Sequence, residues 1–273
     1  MNFSEVIGQE AVKERLIQMV KEDRLPHALL FCGPHGTGKM ALAMAFASYL
    51  LAGDEAEEAT SPSVSNARAM LRNWEHPDLH FSYPTIKLPS MSSDHQPVST
   101  DFAKEWHGLI MQGTYFTMNQ WMNQMGATTQ QAIITGAESD ELSRVLALKS
   151  SQGGYKVSII WLPERMNLTS ANKLLKLLEE PPQATIFLMV CEEPEQLLET
   201  IISRTQRIDV KRIEDEEIEQ ALINKRGIDT DAAHRIARIA HGSWLKALES
   251  LDSGNENREF HNMFQMLMRL CYL

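Results

Sequence analysis

A glycine-rich loop between two apolar segments constrains this chain more than any other feature. The sequence from Ala28 to Met40 reads ALLFCGPHGTGKM: a short apolar run, a loop with three glycines, and then Lys39. A helix-forming run follows at 41–51. Strand, loop and helix in this order are typical of a phosphate cradle, in which backbone N–H groups, the helix N-terminus and a lysine meet phosphate oxygens.

The spacing of this loop fits G-x-x-x-x-G-K-[ST], with one departure at its last position. Met40 stands where a Ser or Thr hydroxyl would hold Mg²⁺, so the motif leaves open whether the loop still serves catalysis. The alternative is a glycine-rich surface turn that happens to precede a lysine, but the strand before it and the helix after it favour the phosphate loop. The predicted nucleotide-binding residues here are Gly33, Pro34, His35, Gly36, Thr37, Gly38, Lys39 and Met40.

Composition limits the class of protein. A length of 273 residues suggests one or two domains, and 43% hydrophobic with 23% charged residues is enough to bury a sizeable core. A net charge of −10 argues against a dedicated nucleic-acid-binding surface, although a local basic face stays open.

The cysteines and the N-terminus indicate a cellular compartment. Cys32, Cys191 and Cys271 lie far apart in apolar stretches without a C-x-x-C pair, which is typical of buried thiols in a reducing compartment. The N-terminus is polar and amphipathic, unlike a signal peptide, and no apolar run approaches the ~20 residues of a membrane span. We expect a soluble, cytoplasmic protein.

Apolar runs alternate with helical patterns along most of the chain. Continuous apolar strands such as 156–162 and 185–191, separated by the helix 170–178, predict a parallel α/β sheet covered on both faces. After residue 213 only helical patterns remain. We therefore predict an α/β domain at 1–210, a small helical domain at 211–252, and a linker followed by the first helix of a truncated domain at 253–273.

The segment 84–135 is longer than a connection between a strand and a helix needs. It begins with a proline- and serine-rich stretch and continues with two predicted helices, 100–112 and 115–125. The second helix is rich in methionine and aromatic residues. It fits an interaction surface or, by preference, an ordinary helix packed on the core.

Four motifs, taken together, resemble those of the clamp-loader subunits of the AAA+ family. The sequence 170–182, SANKLLKLLEEPP, is similar to the A-N-A-L-L-K-x-L-E-E-P-P run of that family, and 3–9, FSEVIGQ, to its adenine-side box. Ser203-Arg204-Thr205 matches its Ser-Arg-Cys motif except for Thr, and His76-Pro77-Asp78 matches the turn after its zinc knuckle. The resemblance covers residues 3–250 in the family's order.

The resemblance implies a fold and a set of site residues. The fold is an AAA+ P-loop parallel sheet flanked by helices, then a small all-α lid and the start of a helical collar near Phe260. Val6 and Ile7 would lie beside adenine. Arg204 would be an arginine finger that reaches the ATP of a neighbouring subunit in trans. A guanidinium suits this role because it stays charged and can bind two phosphate oxygens at once. The alternative is a helix-end arginine that caps carbonyls or pairs with an acid.

The chain departs from the family where hydrolysis needs Mg²⁺ and a carboxylate pair. Trp161 and Leu162 occupy the places of the two acids, with Glu164 downstream as the carboxylate of a possible shifted metal site. A polar sensor residue is replaced near Cys191-Glu192, and Leu245 replaces the lid arginine. Lys246 is next to it, but a helix turns ~100° per residue, so it points elsewhere. The zinc-knuckle cysteines are absent, so no metal is expected.

By resemblance, the chain is a non-hydrolysing subunit of a hetero-pentameric clamp loader with motor ATPase and delta-type subunits. That assembly opens a sliding clamp and loads it on primed DNA in replication. It serves a DNA-directed DNA polymerase, a nucleotidyltransferase. No cofactor is required, and ATP or ADP is held weakly at most. The alternatives are an active motor ATPase subunit of the same loader and, more remotely, a homo-oligomeric AAA+ remodelling protein.

Overall fold

The computed structural model describes residues 2–53, 61–127 and 130–252. The chain divides into two compact units, Met1–Gly33 with Gly38–Val210, and Pro34–Thr37 with Lys211–Leu273. The predicted linker, the collar helix from Phe260 and Cys271 lie outside the described residues.

Within the described residues, the first unit has five strands in one parallel sheet. They are β1 (Ala28–Cys32), β2 (Leu79–Ser82), β3 (Lys156–Trp161), β4 (Thr185–Cys191) and β5 (Gln206–Asp209). The strand order is β2-β3-β4-β1-β5, and every pairing is parallel. The predicted class, a parallel α/β sheet flanked by helices and followed by further helices, is confirmed.

Helices alternate with these strands and then continue alone. They are α1 (Glu10–Lys21), α2 (Lys39–Ala52), α3 (Pro62–Arg72), α4 (Ala103–Gln112), α5 (Met118–Gln124), α6 (Gly136–Leu146), α7 (Leu168–Glu179), α8 (Glu199–Ile202), α9 (Asp215–Arg226) and α10 (Thr230–Ala240), and, at the end of the described residues, α11 at 244–252. The sequence 195–203 favours one continuous helix, but the structure divides this stretch. Pro194–Gln196 form a 3₁₀ turn, and extended residues at Leu197 and Leu198 separate it from α8.

Alternating side chains of the strands fill two hydrophobic clusters, one on each face of the sheet. Leu29 and Phe31 of β1 belong to the cluster that contains most of α2, whereas Leu30 and Cys32 belong to the cluster with α6, α7 and α8. Helix α2 is apolar around its whole circumference and is buried accordingly. Both faces of the sheet are therefore covered, as the continuous apolar strands predicted.

Most buried apolar side chains of 84–127 pack on the α2 side of the sheet, whereas Ile134 packs on the other face. Phe116, Trp121, Met122 and Met125 are buried on the α2 side, which agrees with the core-packed interpretation of the methionine- and aromatic-rich stretch. Helix α5 begins only at Met118, because Thr117 caps it, so the residues before it are not helical.

In the second unit, α9 and α10 pack against each other. Asp229 caps α10 by accepting from the Ala232 N–H at 3.0 Å, and Gly227 ends α9 in the left-handed conformation.

Candidate functional site

The carboxyl ends of neighbouring parallel strands bring the predicted site residues together. Cys32 is the register partner of Cys191, and Trp161 is that of Val190. The loops after β1, β3 and β4 therefore start at one edge of the sheet, the position where open α/β sheets bind ligands. Cys32 and Cys191 are free, buried thiols, as predicted, although the sequence alone did not show that they are neighbours.

The side chain of Lys39, the cation of the phosphate loop, is buried and contacts groups of this chain. Its side chain is 3% exposed, its Nζ donates to the Gly33 carbonyl at 2.9 Å, and the Glu192 Oε1 lies 3.8 Å away. Burial lowers the pKa of Lys39, and the nearby carboxylates of Glu192 and Glu164 oppose that shift only in part. Its ammonium thus faces a carboxylate where a phosphate loop would present it to phosphate oxygens.

The three positions that by resemblance would hold the Mg²⁺ ligand and the two acids are apolar and buried. Met40, Trp161 and Leu162 are 6%, 3% and 2% exposed and share one hydrophobic cluster. A thioether and an indole offer none of the hard oxygen ligands that Mg²⁺ requires. These residues do not fit a catalytic metal.

Glu164, the carboxylate of the possible shifted site, is engaged by the backbone. It lies on the 3₁₀ turn Pro163–Arg165, and its Oε1 accepts from the N–H groups of Glu192 at 2.8 Å and Glu193 at 3.2 Å. Burial raises the pKa of Glu164. Its carboxyl therefore fixes the turn after β4. Over the described ranges, 2–53, 61–127 and 130–252, no group of three or more His, Cys, Asp or Glu side chains is arranged to hold a metal ion.

Tyr115, which the sequence did not single out for the site, lies at the predicted adenine side. Its hydroxyl accepts from the Ile7 N–H at 3.3 Å. A Cβ atom placed on Gly38 would lie 2.9 Å from the same oxygen, so the phenol also contacts the loop. Burial raises the pKa of Tyr115 to about 12, so the hydroxyl is neutral at physiological pH. No sequence pattern marks this residue, because its position depends on the path of the irregular segment 113–117.

In the second unit, the loop piece Pro34–Thr37 packs on the start of α11. The Gly36 carbonyl accepts from the Trp244 N–H at 3.0 Å, and a Cβ on Gly36 would lie 2.1 Å from the Ser243 Oγ. Leu245, which replaces the lid arginine, is buried and Lys246 is exposed. The two side chains point in different directions, as the helical geometry predicted.

Arg204 follows α8 and stays accessible. Its side chain is 37% exposed, its Nη1 donates to the Thr200 carbonyl at 2.9 Å, and its Nη2 lies 2.7 Å from the Glu179 Oε1. This is the capped and paired arrangement that the alternative interpretation predicted. It does not bury the guanidinium. Glu179 belongs to the LLKLLEEPP run, and no sequence pattern paired it with Arg204.

Comparison with known proteins decides the family. The profile of the family described as "DNA polymerase III, delta subunit" matches residues 8–214, most of the chain. The chain belongs to this family. Its sequence motifs and its sheet agree with that assignment.

Individual relatives carry two different subunit names. The chain is 27% identical over 252 residues to the DNA polymerase III subunit delta′ of Bacillus subtilis, covering 92% of this chain and 60% of that one. It is also 27% identical over 259 residues to the Bacillus subtilis subunit tau, covering 92% of this chain and 37% of tau. A delta′ subunit of Yersinia pestis is 53% identical over 57 residues, or 20% of this chain and 16% of that one. The chain thus spans about half the length of the relatives it matches.

Solved structures with a related arrangement come from Thermotoga maritima. A DNA polymerase III gamma subunit-related protein gives a TM-score of 0.43 at 18% identity, covering 89% of this chain and 61% of that chain. The RuvB Holliday junction branch migration motor gives 0.49 at 16% identity, covering 91% and 62%. Within the described residues, no helix is long and apolar enough to span a membrane.

Proposed function

We propose that this chain is a delta-prime-type subunit of the DNA polymerase III clamp loader that does not hydrolyse ATP. The observation that carries the proposal is the apolar filling of the metal and acid positions by Met40, Trp161 and Leu162. Without a metal ligand and a carboxylate pair, the γ-phosphate has no Mg²⁺ and water has no orienting base. The lysine that remains is paired with Glu192.

Arg204 gives such a subunit a role in catalysis carried out by a neighbour. Its guanidinium is accessible, and Glu179 and the Thr200 carbonyl hold it in one orientation. An arginine supplied in trans stabilises the charge of the phosphoryl-transfer transition state and is worth about 10³–10⁵ in rate in other NTPases. The proposed partners are the motor ATPase and delta-type subunits, the sliding clamp and, through the assembly, primed DNA.

The net charge of −10 suits a subunit whose main partners are proteins, with DNA contacted as part of the ring. Neither Mg²⁺ nor zinc is required in this proposal, and a nucleotide is bound weakly at most. The alternative is a motor ATPase subunit of the gamma/tau type. The chain is as similar to tau as to delta′, at 27% identity each, so sequence identity supports both alternatives equally. The same filled metal site weighs against the motor subunit.

Two assays test the proposal. The purified chain should release no phosphate from ATP in the presence of Mg²⁺. Turnover that disappears in Lys39→Ala would establish the motor alternative. In a reconstituted clamp loader, Arg204→Ala should lower the ATPase rate by about 10³. Assembly, followed by gel filtration, should be unchanged.

Arg144→Ala is the matched control for the second assay. Arg144 is an exposed helical arginine that pairs with Glu141, as Arg204 pairs with Glu179, but it lies on α6. Its replacement should leave the ATPase rate of the assembly at the wild-type value. An unchanged rate in Arg204→Ala would end the proposed finger role.

A further inference from the structure

We propose that Tyr115 is a built-in occupant of the adenine side of the phosphate-loop pocket, and that it closes this pocket to adenine nucleotides. This inference rests on the proposed function, because it explains how a subunit that does not hydrolyse ATP keeps its loop empty. It also gives the long segment 84–135 a role: that segment carries a tyrosine to the site.

The first step is the position of the phenol. The Tyr115 hydroxyl takes the Ile7 N–H, at 3.3 Å, in the box that by resemblance lies beside adenine. The same oxygen lies 2.9 Å, and two ring carbons 3.4 Å and 3.5 Å, from where a Cβ on Gly38 would be. The hydroxyl end of the Tyr115 ring thus lies between the adenine box and the loop. A nucleotide would have to displace it to reach both.

The second step is what holds Tyr115 in place. The ring of its neighbour Phe116 meets the Trp161 ring edge to face at a centroid distance of 5.1 Å and the Trp106 ring at 5.5 Å. On the other side, Thr117 and Gln120 exchange hydrogen bonds of 3.0 Å and 2.8 Å at the start of α5. Aromatic packing and a capping box therefore fix the backbone immediately after Tyr115.

The third step links this anchor to the lost acids. Trp161 occupies the place of the first acid of the carboxylate pair and is 3% exposed. A carboxylate there could not pack against Phe116, and it would be desolvated by the surrounding rings. The substitution that removes the metal ligand thus also supplies the surface on which the closing segment rests. Loss of hydrolysis and closure of the pocket are one structural change.

Glu192 completes the closure at the phosphate end. Its carboxylate, 3.8 Å from the Lys39 Nζ, competes with any phosphate for that ammonium. An incoming adenine nucleotide must therefore displace the phenol from Ile7 and the carboxylate from Lys39.

The test is titration of the full chain with ADP by calorimetry, with and without Mg²⁺. The wild type should give no saturable heat at millimolar ADP. Tyr115→Ala should bind ADP at least about tenfold more tightly, to the same extent in EDTA, because no residue here holds the metal. Adding Glu192→Gln should tighten binding further. Tyr155→Ala, at a partly buried tyrosine before β3, is the matched control and should behave as the wild type.

Tyr115→Phe separates the ring from its hydroxyl. It should keep the pocket closed to ADP, while hydrogen exchange at the Ile7 amide becomes faster because its acceptor is lost. If Tyr115→Ala does not fold, Tyr115→Leu takes its place. A Tyr115→Ala or Tyr115→Leu chain that folds and titrates like the wild type overturns the inference. So does exchange at Ile7 that does not respond to Tyr115→Phe.

The outcomes also separate this inference from the proposed function. If Tyr115→Ala fails to bind ADP while the chain remains inactive toward ATP, the occupant role falls and the non-hydrolysing subunit stands. If Tyr115→Ala binds nucleotide and then hydrolyses ATP with Mg²⁺, the occupant role stands and the non-hydrolysing assignment falls.

Discussion

Two cationic side chains of the candidate machinery have opposite environments. Lys39 is 3% exposed, lies in the pocket closed by Tyr115 and is paired with Glu192. Arg204 is 37% exposed, and its pairing with Glu179 leaves it accessible at the surface. The Lys39 ammonium, which would act on a nucleotide bound by this chain, is buried. The Arg204 guanidinium, which could act on a nucleotide bound by a neighbour, is exposed to solvent.

The physical cost of the two arrangements differs as well. A buried ammonium must be compensated by nearby acceptors, so Lys39 is committed to the Gly33 carbonyl and to Glu192. An exposed ion pair such as Arg204–Glu179 is worth about 0–1 kcal/mol and exchanges its partner readily. The exposed Arg204 guanidinium can therefore gain a phosphate partner at little cost with Glu179 still beside it, whereas Lys39 cannot change partners without a rearrangement of the loop.

The largest expected effect is at Trp161, a buried residue of the candidate site. Trp161→Ala removes a buried indole that packs against Trp106 and Phe116, so urea unfolding should show a loss of about 3–5 kcal/mol. Trp161→Phe keeps an aromatic ring at this site and should lose clearly less. A loss below about 1 kcal/mol in Trp161→Ala would show that this cluster does not anchor the segment before α5.

The second-largest effect is expected at the exposed Arg204. Arg204→Lys keeps the positive charge but loses the planar fork, so the ATPase rate of the reconstituted loader should fall by about 10–100-fold. The unfolding free energy should change by no more than about 0.5 kcal/mol, because the residue is exposed. A wild-type rate would mean that charge alone suffices and that the fork geometry has no role.

A smaller effect is expected at the acid that holds Arg204. Glu179→Gln removes the ionic partner at 2.7 Å, so we expect the loader's ATPase rate to fall by about 2–5-fold, in line with an exposed pair worth under about 1 kcal/mol. Glu180→Gln, at the adjacent acid, is the control.

A double-mutant cycle distinguishes positioning from a general structural effect. In the Arg204→Ala background, Glu179→Gln should have no further effect on the rate, since its only proposed action is on Arg204. Independent, multiplicative losses would contradict a positioning role for Glu179.

The sequence predicted the parts of this comparison that depend on local pattern. The apolar run 28–31 and the glycines after it predicted β1, the loop and α2, because propensity and periodicity act within a few residues. The places of Trp161 and Leu162 at the two acid positions are what the resemblance to the clamp-loader motifs implies. Their burial follows from the continuous apolar character of that strand.

The sequence did not predict contacts across long separations. Tyr115 meets Ile7 across more than a hundred residues, and Glu192 meets Lys39 only because β1 and β4 are neighbours in the sheet. Both contacts depend on the strand order and on the path of the irregular segment 113–117. Neither leaves a repeat or a spacing in the sequence.

The smallest expected effect is a pH dependence at the covered cation. Burial lowers the pKa of Lys39 in the folded chain below its unfolded value of about 10.4. Between these two pKa values the unfolded chain binds more protons, so the contribution of Lys39 to stability rises with pH and levels off above the unfolded value.

Lys39→Met has no such ionisation. Urea unfolding at pH 7–10 should therefore show the stability of the wild type rising relative to that of Lys39→Met. Lys104→Met, at an exposed lysine, controls for the loss of one positive charge. A constant difference between wild type and Lys39→Met across this range would mean that Lys39 is solvated, which would remove the contrast with Arg204.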